Sequence, residues 1–255
     1  MDLTDRQLEI LTLIRSEGQA EVESLSHSFD VTTQTIRRDL AELCDRGLAL
    51  RTHGGARKLH SISNAGYEDR RSVRVAEKEK LGVIAASLIP DNCAVAINIG
   101  TTTEQVARAL SGHSDLVILS NNVNIIMSFV GSKSKDLILV GGSVRQSDGA
   151  IVGEDAVEFI SRYKVDFAVI GASSMDEDGA ILDFDAREVS VARAILKNAR
   201  TKILVCDNSK FEKDAPVRIC DVADLDYVIT DVPPPDTFAT AARNGNTKIL
   251  TPDAS

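Results

Sequence analysis

The change in hydrophobic pattern at Pro90 constrains the fold of this 255-residue chain more than any other feature. After Pro90, short apolar runs alternate with amphipathic stretches of helical period. This alternation predicts buried strands connected by helices, and such units pack as an α/β fold with a mostly parallel sheet and helices on both faces. The apolar runs lie at residues 93–99, 116–119, 137–140, 165–171, 202–206 and 226–230, and the helical stretches at 102–110, 122–130, 154–162, 187–199 and 236–244.

Before residue 50 the apolar residues recur at helical spacing instead. Three helix faces are marked by Ile10, Leu13 and Ile14, by Val22, Leu25 and Phe29, and by Ile36, Leu40 and Leu43. Thr32 is a suitable N-cap for the third helix, residues 48–52 alternate like a short strand, and His53-Gly54-Gly55-Ala56 predicts a tight turn. Three short helices followed by such a hairpin are typical of a winged helix-turn-helix.

The third helix carries polar side chains suited to DNA. Ile36 and Leu40 face the core, so Gln34 and Arg38 face outward, and amides and guanidinium groups hydrogen-bond base edges in a major groove. The wing adds groups that bind phosphate. The predicted DNA-binding residues are Thr32, Thr33, Gln34, Thr35, Arg37, Arg38, Arg51, His53, Gly54, Gly55, Arg57 and Lys58. A solvated helix with two arginines is the alternative interpretation of residues 32–40 alone.

The net charge of −9 is compatible with this prediction because basic residues are concentrated locally. Residues 51–80 hold eight Lys and Arg against four Asp and Glu, which suits a DNA contact confined to one segment. The chain has no apolar run of membrane-spanning length and no signal-peptide pattern, so we expect a cytoplasmic protein without membrane contact. The scattered cysteines and histidines predict free thiols and no metal site, and we expect no cofactor.

A polar crevice is predicted at the carboxyl ends of the strands, where such sheets bind ligands. The loop at 99–103 opens a helix, and backbone amides with hydroxyl groups there suit a phosphate. The turns at 120–122, 141–142 and 207–211 follow other strands and carry amide, glycine and lysine groups. Asp183, Asp185 and Glu188 are able to accept hydrogen bonds from a polyol, or to serve as charges at a helix N-terminus.

The segment between the two patterns has little apolar periodicity. Residues 59–75 contain Ser, Asn, Gly and charged residues, which predicts a linker, and a helix is expected at about 76–88, ending before Pro90. We therefore expect a winged helix-turn-helix at 1–58, a linker at 59–75 and an α/β effector-sensing domain at 76–255.

These motifs resemble the DeoR family of bacterial repressors. The resemblance rests on Arg6, Ile10 and Ile14, on TxxTIRRDL at 32–40, on HGGA at 53–56, and on INIGTTTE, LSNNVN, LVGGSVRQSDGAIVG, VDFAVIGAS, DFDAREV and VCDNSKF further along. It implies a sensor domain similar in fold to ribose-5-phosphate isomerase, and a homodimer or homotetramer. The effector-site residues that it implies are Gly100, Thr101, Thr102, Thr103, Asn121, Asn122, Gly141, Gly142, Asp185, Glu188 and Lys210. Asn98 stands where the family usually has Asp, and Ala192-Arg193 where it often has Lys-Arg.

The resemblance implies a repressor of a carbon-catabolism operon, released from double-stranded operator DNA by a phosphorylated polyol or sugar. DFDAREV and the TDVPPP stretch at 230–235 are similar to a family member that responds to glycerol-3-phosphate, and fructose-1-phosphate is an alternative effector. A sugar-phosphate isomerase is the rival class, with Asp183, Asp185 or Glu188 as its base. The chain lacks a second carboxylate-plus-lysine arrangement, so we expect no catalytic residues and no enzyme.

Overall fold

A computed structural model describes residues 3–17, 19–46, 48–52, 54–58, 66–132 and 135–252, with only the backbone described at residues 15–17, 50, 57 and 58. The chain divides into two compact units, Met1–Ser61 and Ile62–Ser255. In the ranges that the structure describes, no helix combines the length and apolar character needed to cross a membrane.

The first unit is a winged helix-turn-helix. Its described elements are α1 Asp5–Glu17, β1 Gln19–Glu21, α2 Val22–Ser28, α3 Thr33–Asp45, β2 Ala49–Arg51 and β3 Gly55–Lys58. The predicted helices are present, and the Thr32 side chain caps α3 by accepting from the Thr35 amide at 3.2 Å. Ile10, Ile14 and Ile36 are fully buried between the helices, so helical spacing of apolar residues correctly identified the core of this unit.

The wing differs from the prediction in one respect. Gly55 and Ala56 were expected in the turn, but they lie in β3, which pairs with both β2 and the unpredicted strand β1. A Cβ atom on Gly55 would lie 2.0 Å from the Ala20 carbonyl oxygen. Glycine is therefore required here for the close approach of two strands rather than for the turn.

The second unit is an α/β sandwich built on a parallel sheet. Its described helices are α4 Tyr67–Ser72, α5 Val75–Ser87, α6 Thr101–Ala109, α7 Val123–Met127, α8 Glu154–Ser161, α9 Ala186–Lys197 and α10 Asp236–Asn244. Its described strands are β4 Ala94–Ile97, β5 Leu116–Ser120, β6 Lys135–Leu139, β7 Val165–Ile170, β8 Ser174–Met175, β9 Ala180–Asp183, β10 Ala199–Val205, β11 Val217–Asp221, β12 Tyr227–Ile229 and β13 Lys248–Leu250.

Seven of these described strands form the parallel sheet in the order β13-β12-β10-β7-β4-β5-β6. Side chains alternate between two cores, because successive residues of a strand face opposite sides. In β7, Val169 packs with α5, α6 and α7, whereas Ala168 and Ile170 pack with α8, α9 and α10. The predicted α/β architecture with helices on both faces is confirmed.

Several short elements were not predicted. Strands β8, β9 and β11 form a small antiparallel sheet, and β13 extends the large one. Helix α4 lies within the segment expected to be a linker, and its packing belongs to the second unit. The two-residue β8 and the six-residue α4 are too short to show a hydrophobic period, so contacts with the rest of the unit decide their structure.

Candidate functional site

The outward face of α3 is polar, as the helical period requires. Gln34, Arg37 and Arg38 are exposed, while Ile36 and Leu40 are buried. The Thr32 and Thr35 hydroxyl groups lie 2.9 Å apart at the start of the helix. This arrangement presents an amide and two guanidinium groups to solvent on one helix face, and such a helix can enter a major groove.

A buried carboxylate holds α3 against α1 behind this face. Asp39 accepts hydrogen bonds from Arg6 Nε at 2.7 Å and from Gln7 Nε2 at 3.3 Å. Gln7 Nε2 also donates to Glu42 Oε2 at 2.9 Å. Arg6 and Asp39 belong to the motifs that resemble the family, and the structure assigns them to orienting the exposed helix.

A cleft of about 300 Å³ separates the start of α2, the helix α3 and the wing. Arg37 and Arg51 line it from opposite sides, and Gly54 and Gly55 form part of its wall. His53 lies outside the described residues, and the side chains of Arg57 and Lys58 are likewise not described. The predicted wing residue Arg51 is thus placed beside the exposed helix, and the DNA-binding set as a whole stays a prediction.

A second candidate site lies where the strand order of the parallel sheet reverses. The chain runs from β4 outward to β5 and β6, and later from β7 outward to β10, β12 and β13, so β4 and β7 flank the switch point. Ligands of open α/β sheets bind in the crevice at such a point. The loops after β4 and β7 line a small cavity there, which we call the switch-point pocket; it holds about 30 Å³ of free volume.

The wall of the switch-point pocket combines groups suited to an anion. It is formed by Arg70, Asn98, Ile99, Gly100, Thr101, Thr102, Gly171, Ala172, Ser173, Asp183, Glu188, Ala192, Val205, Lys210 and Ile219. Thr101 and Thr102 begin α6, whose N-terminal amides and dipole favour negative charge. Lys210 and Arg70 add positive charge, and burial together with the neighbouring Lys210 lowers the pKa of Lys213 to about 8. Arg70, Lys210 and the start of α6 thus line the same pocket.

The structure separates the predicted effector residues into those that line the switch-point pocket, those that are buried next to it and those that lie elsewhere. Gly100, Thr101, Thr102, Glu188 and Lys210 line the pocket. Thr103, Asn121 and Asn122 are buried behind it and are used for internal hydrogen bonds.

Asn121 shows how the buried residues support the shape of the pocket. Its Oδ1 accepts from the Ile99 amide at 3.2 Å, and its Nδ2 donates to the Ile151 carbonyl at 3.1 Å. Both ends of the side chain are therefore occupied in shaping the loop after β4. Gly141 and Gly142 follow β6, two strands away from β4 in the sheet, and they do not appear in the wall of the pocket.

An adjoining cavity of about 300 Å³ shares Arg70, Asp183 and Glu188 with the switch-point pocket. The predicted residue Asp185 lines this cavity, as does Arg145, which the sequence did not single out. Arg145 bonds Asp148 at 2.9 Å, Asp185 at 3.3 Å and Glu188.

The pKa values of these carboxyl groups are shifted in different directions. Burial and the nearby Asp183 raise the pKa of Glu188, against the opposing effect of Arg145. Burial likewise raises the pKa of Asp183, while the bond from Arg187 lowers the pKa of Asp185. Carboxylates that accept hydrogen bonds thus lie next to the pocket wall that carries Arg70 and Lys210. In the described chain, no group of histidine, cysteine and acidic side chains is arranged to hold a metal ion.

Helix α4 places Arg70 in both cavities. The Tyr67 hydroxyl donates to Glu104 of α6 and accepts from Asn124 Nδ2 at 2.9 Å. At the other end, Lys78 Nζ donates to the carbonyl oxygens of Val73, at 2.8 Å, and Arg70. The basic charge of residues 51–80 predicts a local DNA contact, so the sequence does not identify Arg70 as a ligand-site residue. A basic residue in a predicted linker is too weak a signal to reveal this.

Comparisons with known proteins match both units to one family. The model of the DeoR-like helix-turn-helix domain matches residues 6–62, and that of the DeoR C terminal sensor domain matches residues 73–232. The glycerol-3-phosphate regulon repressor of Escherichia coli K12 is 42% identical over 235 residues, covering 92% of this chain and 93% of that protein.

Other relatives and one solved structure extend the comparison. The protein of the same name from Haemophilus influenzae is 42% identical and covers 89% of each chain. The HTH-type transcriptional repressor CsqR of Escherichia coli K12 is 32% identical, covering 97% of this chain and 95% of that protein. Ribose 5-phosphate isomerase A of Neisseria gonorrhoeae is 13% identical, with a TM-score of 0.38 and 52% of each chain covered; a likeness at this level says nothing about function.

Proposed function

The chain belongs to the DeoR family of DNA-binding transcriptional repressors, and we propose that a phosphorylated polyol, glycerol-3-phosphate, binds its switch-point pocket and releases it from operator DNA. The observation that carries the proposal is the convergence of Lys210, Arg70 and the N-terminus of α6 on one pocket. Backbone amides and two cations together form a site for a phosphate dianion.

The hydroxyl groups of the ligand are proposed to face the carboxylates. Asp183 and Glu188 line the same pocket as the cations, and each accepts hydrogen bonds when ionised. A phosphate at one end and hydroxyl groups at the other match the two chemical surfaces of the pocket. The free volume of about 30 Å³ favours a small ester and requires the wall to move on binding.

Two further arguments favour glycerol-3-phosphate over fructose-1-phosphate. Relatives that are 42% identical carry the name glycerol-3-phosphate regulon repressor. A hexose phosphate needs more room than a three-carbon ester, and it would extend past Arg70 into the adjoining cavity. Fructose-1-phosphate is the second candidate because that cavity presents Asp148 and Asp185 to additional hydroxyl groups.

We propose that the site binds its ligand without catalysing its isomerisation. Isomerisation requires a base that is free to take a proton from carbon. Asp183 accepts a hydrogen bond from the Phe184 amide at 2.7 Å, Asp185 accepts one from the Arg187 amide at 2.9 Å, and Glu188 is bound to Arg145. All three candidate bases are therefore engaged with donors within the protein. An assay for interconversion of sugar phosphates by the full chain is expected to give no product.

The DNA-binding form is proposed to be a homodimer or homotetramer. A single α3 covers one half-site, and repressors with a recognition helix gain affinity by binding two half-sites about one helical turn apart. Binding of the phosphate ester would then favour the arrangement of subunits that fits the operator poorly, which is release by linkage.

Thermal stabilisation and operator release of the full chain test the proposal. Glycerol-3-phosphate is expected to stabilise the protein by about 2.7 kcal/mol at one hundred times its Kd, by mass action. Lys210→Ala removes a charge-assisted hydrogen bond, so we expect effector affinity to fall roughly tenfold to a hundredfold while operator affinity is kept.

Lys164→Ala is the matched control, because Lys164 is exposed just before the amino end of β7, away from the pocket. It should respond to the ester as the wild-type protein does. Release of Lys210→Ala from operator at the wild-type ester concentration would contradict the proposed site.

A further inference from the structure

Asn98 holds a fixed position at the carboxyl end of β4. Its backbone amide donates to the Val169 carbonyl at 2.9 Å, and its carbonyl accepts from the Thr103 hydroxyl at 2.7 Å. The residue is 4% exposed. The backbone N–H and C=O of Asn98 are thus both hydrogen-bonded. These two bonds fix the backbone from which the side chain extends.

The side-chain oxygen of Asn98 has no hydrogen-bond partner. Among the buried side-chain nitrogen and oxygen atoms of the described residues, Asn98 Oδ1 is the atom left without one. Buried polar atoms in folded proteins are nearly always paired, because an unpaired acceptor loses its hydration without compensation. Stability of the protein alone does not account for this atom, and a ligand donor would satisfy it.

The surroundings of Asn98 identify the kind of donor. The residue lines the switch-point pocket next to Gly100, Thr101 and Thr102, where a phosphate would lie. A neutral amide oxygen accepts a hydrogen bond without repelling the phosphate, in contrast to Asp183 and Glu188 in the same wall. A phosphate dianion offers no proton to share, so the donor must be a hydroxyl group on the carbon chain beside it.

We propose that Asn98 is a specificity-determining residue whose Oδ1 accepts a hydrogen bond from an effector hydroxyl close to the phosphate. The inference rests on the proposed effector site and adds which phosphate esters that site distinguishes. The pocket selects hydroxylated phosphate esters over deoxy esters of the same length, because a deoxy ester leaves Asn98 Oδ1 buried and unpaired.

The test compares two probes, glycerol-3-phosphate and n-propyl phosphate, which share the phosphate and the three-carbon chain. Calorimetric titration of the full chain gives the ratio of the two dissociation constants. We expect wild-type protein to prefer glycerol-3-phosphate by about tenfold or more. Asn98→Ala is expected to lower this ratio severalfold, because one acceptor is gone while Asp183 and Glu188 still face the remaining hydroxyl group.

Two further variants make the ratio diagnostic. Asn98→Asp keeps an acceptor of the same shape, so it should retain the preference even if the added charge weakens both esters. Asn121→Ala removes a buried asparagine whose amide is fully paired within the protein, and it should lower both affinities without changing their ratio.

The outcomes separate this inference from the proposed function. Equal weakening of both esters in Asn98→Ala, with the wild-type ratio unchanged, would mean that Asn98 only shapes the loop, and would overturn the inference alone. A wild-type ratio near one would overturn the inference and also the proposed contacts of the ligand hydroxyl groups with Asp183 and Glu188. Binding of neither ester to the wild-type protein would overturn the proposed effector and the inference together.

Discussion

At the scale of single residues, two consecutive residues of α3 face different sides of the helix. Arg38 is exposed on the outward face, whereas Asp39 is buried and bonded to Arg6 and Gln7 of α1. The 100° step between successive helical residues produces this division. A charge turned inward needs a partner, because burial of an unpaired carboxylate is costly. The paired Asp39 therefore orients the helix that presents Arg38 to solvent.

Arg38→Ala is expected to cost roughly 1–3 kcal/mol of binding free energy at the cognate operator and less on random DNA, because a bidentate contact to a base is lost. Arg46→Ala is the control, since Arg46 follows the C-terminal end of α3 and bonds Glu42. This substitution should cost little binding free energy on either duplex. Fluorescence anisotropy with both duplexes measures the effect. Equal losses for Arg38→Ala on the two duplexes would assign it to phosphate contact.

At the scale of elements, α4 lies next to the DNA-binding unit in the chain and yet forms part of the pocket wall. It begins at Tyr67, shortly after Ser61 ends the first unit. Of its described residues only Tyr67 is buried, so side-chain bonds rather than a core hold the helix. An element with few buried apolar contacts opens at low free-energy cost. Movement of α4 is the simplest way for the small pocket to admit an ester.

Arg70→Ala is expected to weaken binding of glycerol-3-phosphate about tenfold, because Arg70 lines the pocket and a guanidinium–phosphate contact would be lost. Arg71→Ala is the matched control on the same helix. Arg71 is half exposed and lies 4.0 Å from Glu104, outside the wall of the pocket, so its effect should be small. Calorimetric titration distinguishes the two, and equal effects of the two substitutions would remove Arg70 from the binding site.

At the scale of the whole molecule, the proposed function requires thermodynamic linkage between effector binding and operator binding. An effector that weakens operator binding must itself be bound less tightly when operator is present, by the same factor. Allosteric coupling free energies are typically about 1–3 kcal/mol, or roughly 5-fold to 150-fold. This relation holds whatever the structural route between the units, so it tests the proposed regulation directly.

We expect a saturating operator duplex to raise the Kd for glycerol-3-phosphate by the same factor by which the ester raises the Kd for operator. Titration of the ester with and without the duplex, and of the duplex with and without the ester, supplies the four constants. A duplex of random sequence at the same ionic strength is the control for non-specific charge effects. Factors that disagree beyond error, or that both equal one, would rule out release by linkage.

The features that depend on local pattern follow from the sequence alone. Helical and alternating periods identified the winged helix-turn-helix, the alternation of strands and helices, and the Thr32 cap, because each arises from residues close together in the chain. The loop at 100–102 and Lys210 were predicted from their places after apolar runs, and the structure puts both in one pocket.

Only the tertiary structure decided which loops meet. Strand order is set by pairing between distant segments, and it brings Asn98, Gly171 and Lys210 together while leaving Gly141 and Gly142 two strands away. Helix α4, strand β1 and the small sheet of β8, β9 and β11 are likewise too short to form without their neighbours. The unpaired Oδ1 of Asn98 also depends on the folded structure. Whether a buried atom has a hydrogen-bond partner is decided by the residues that the fold packs around it.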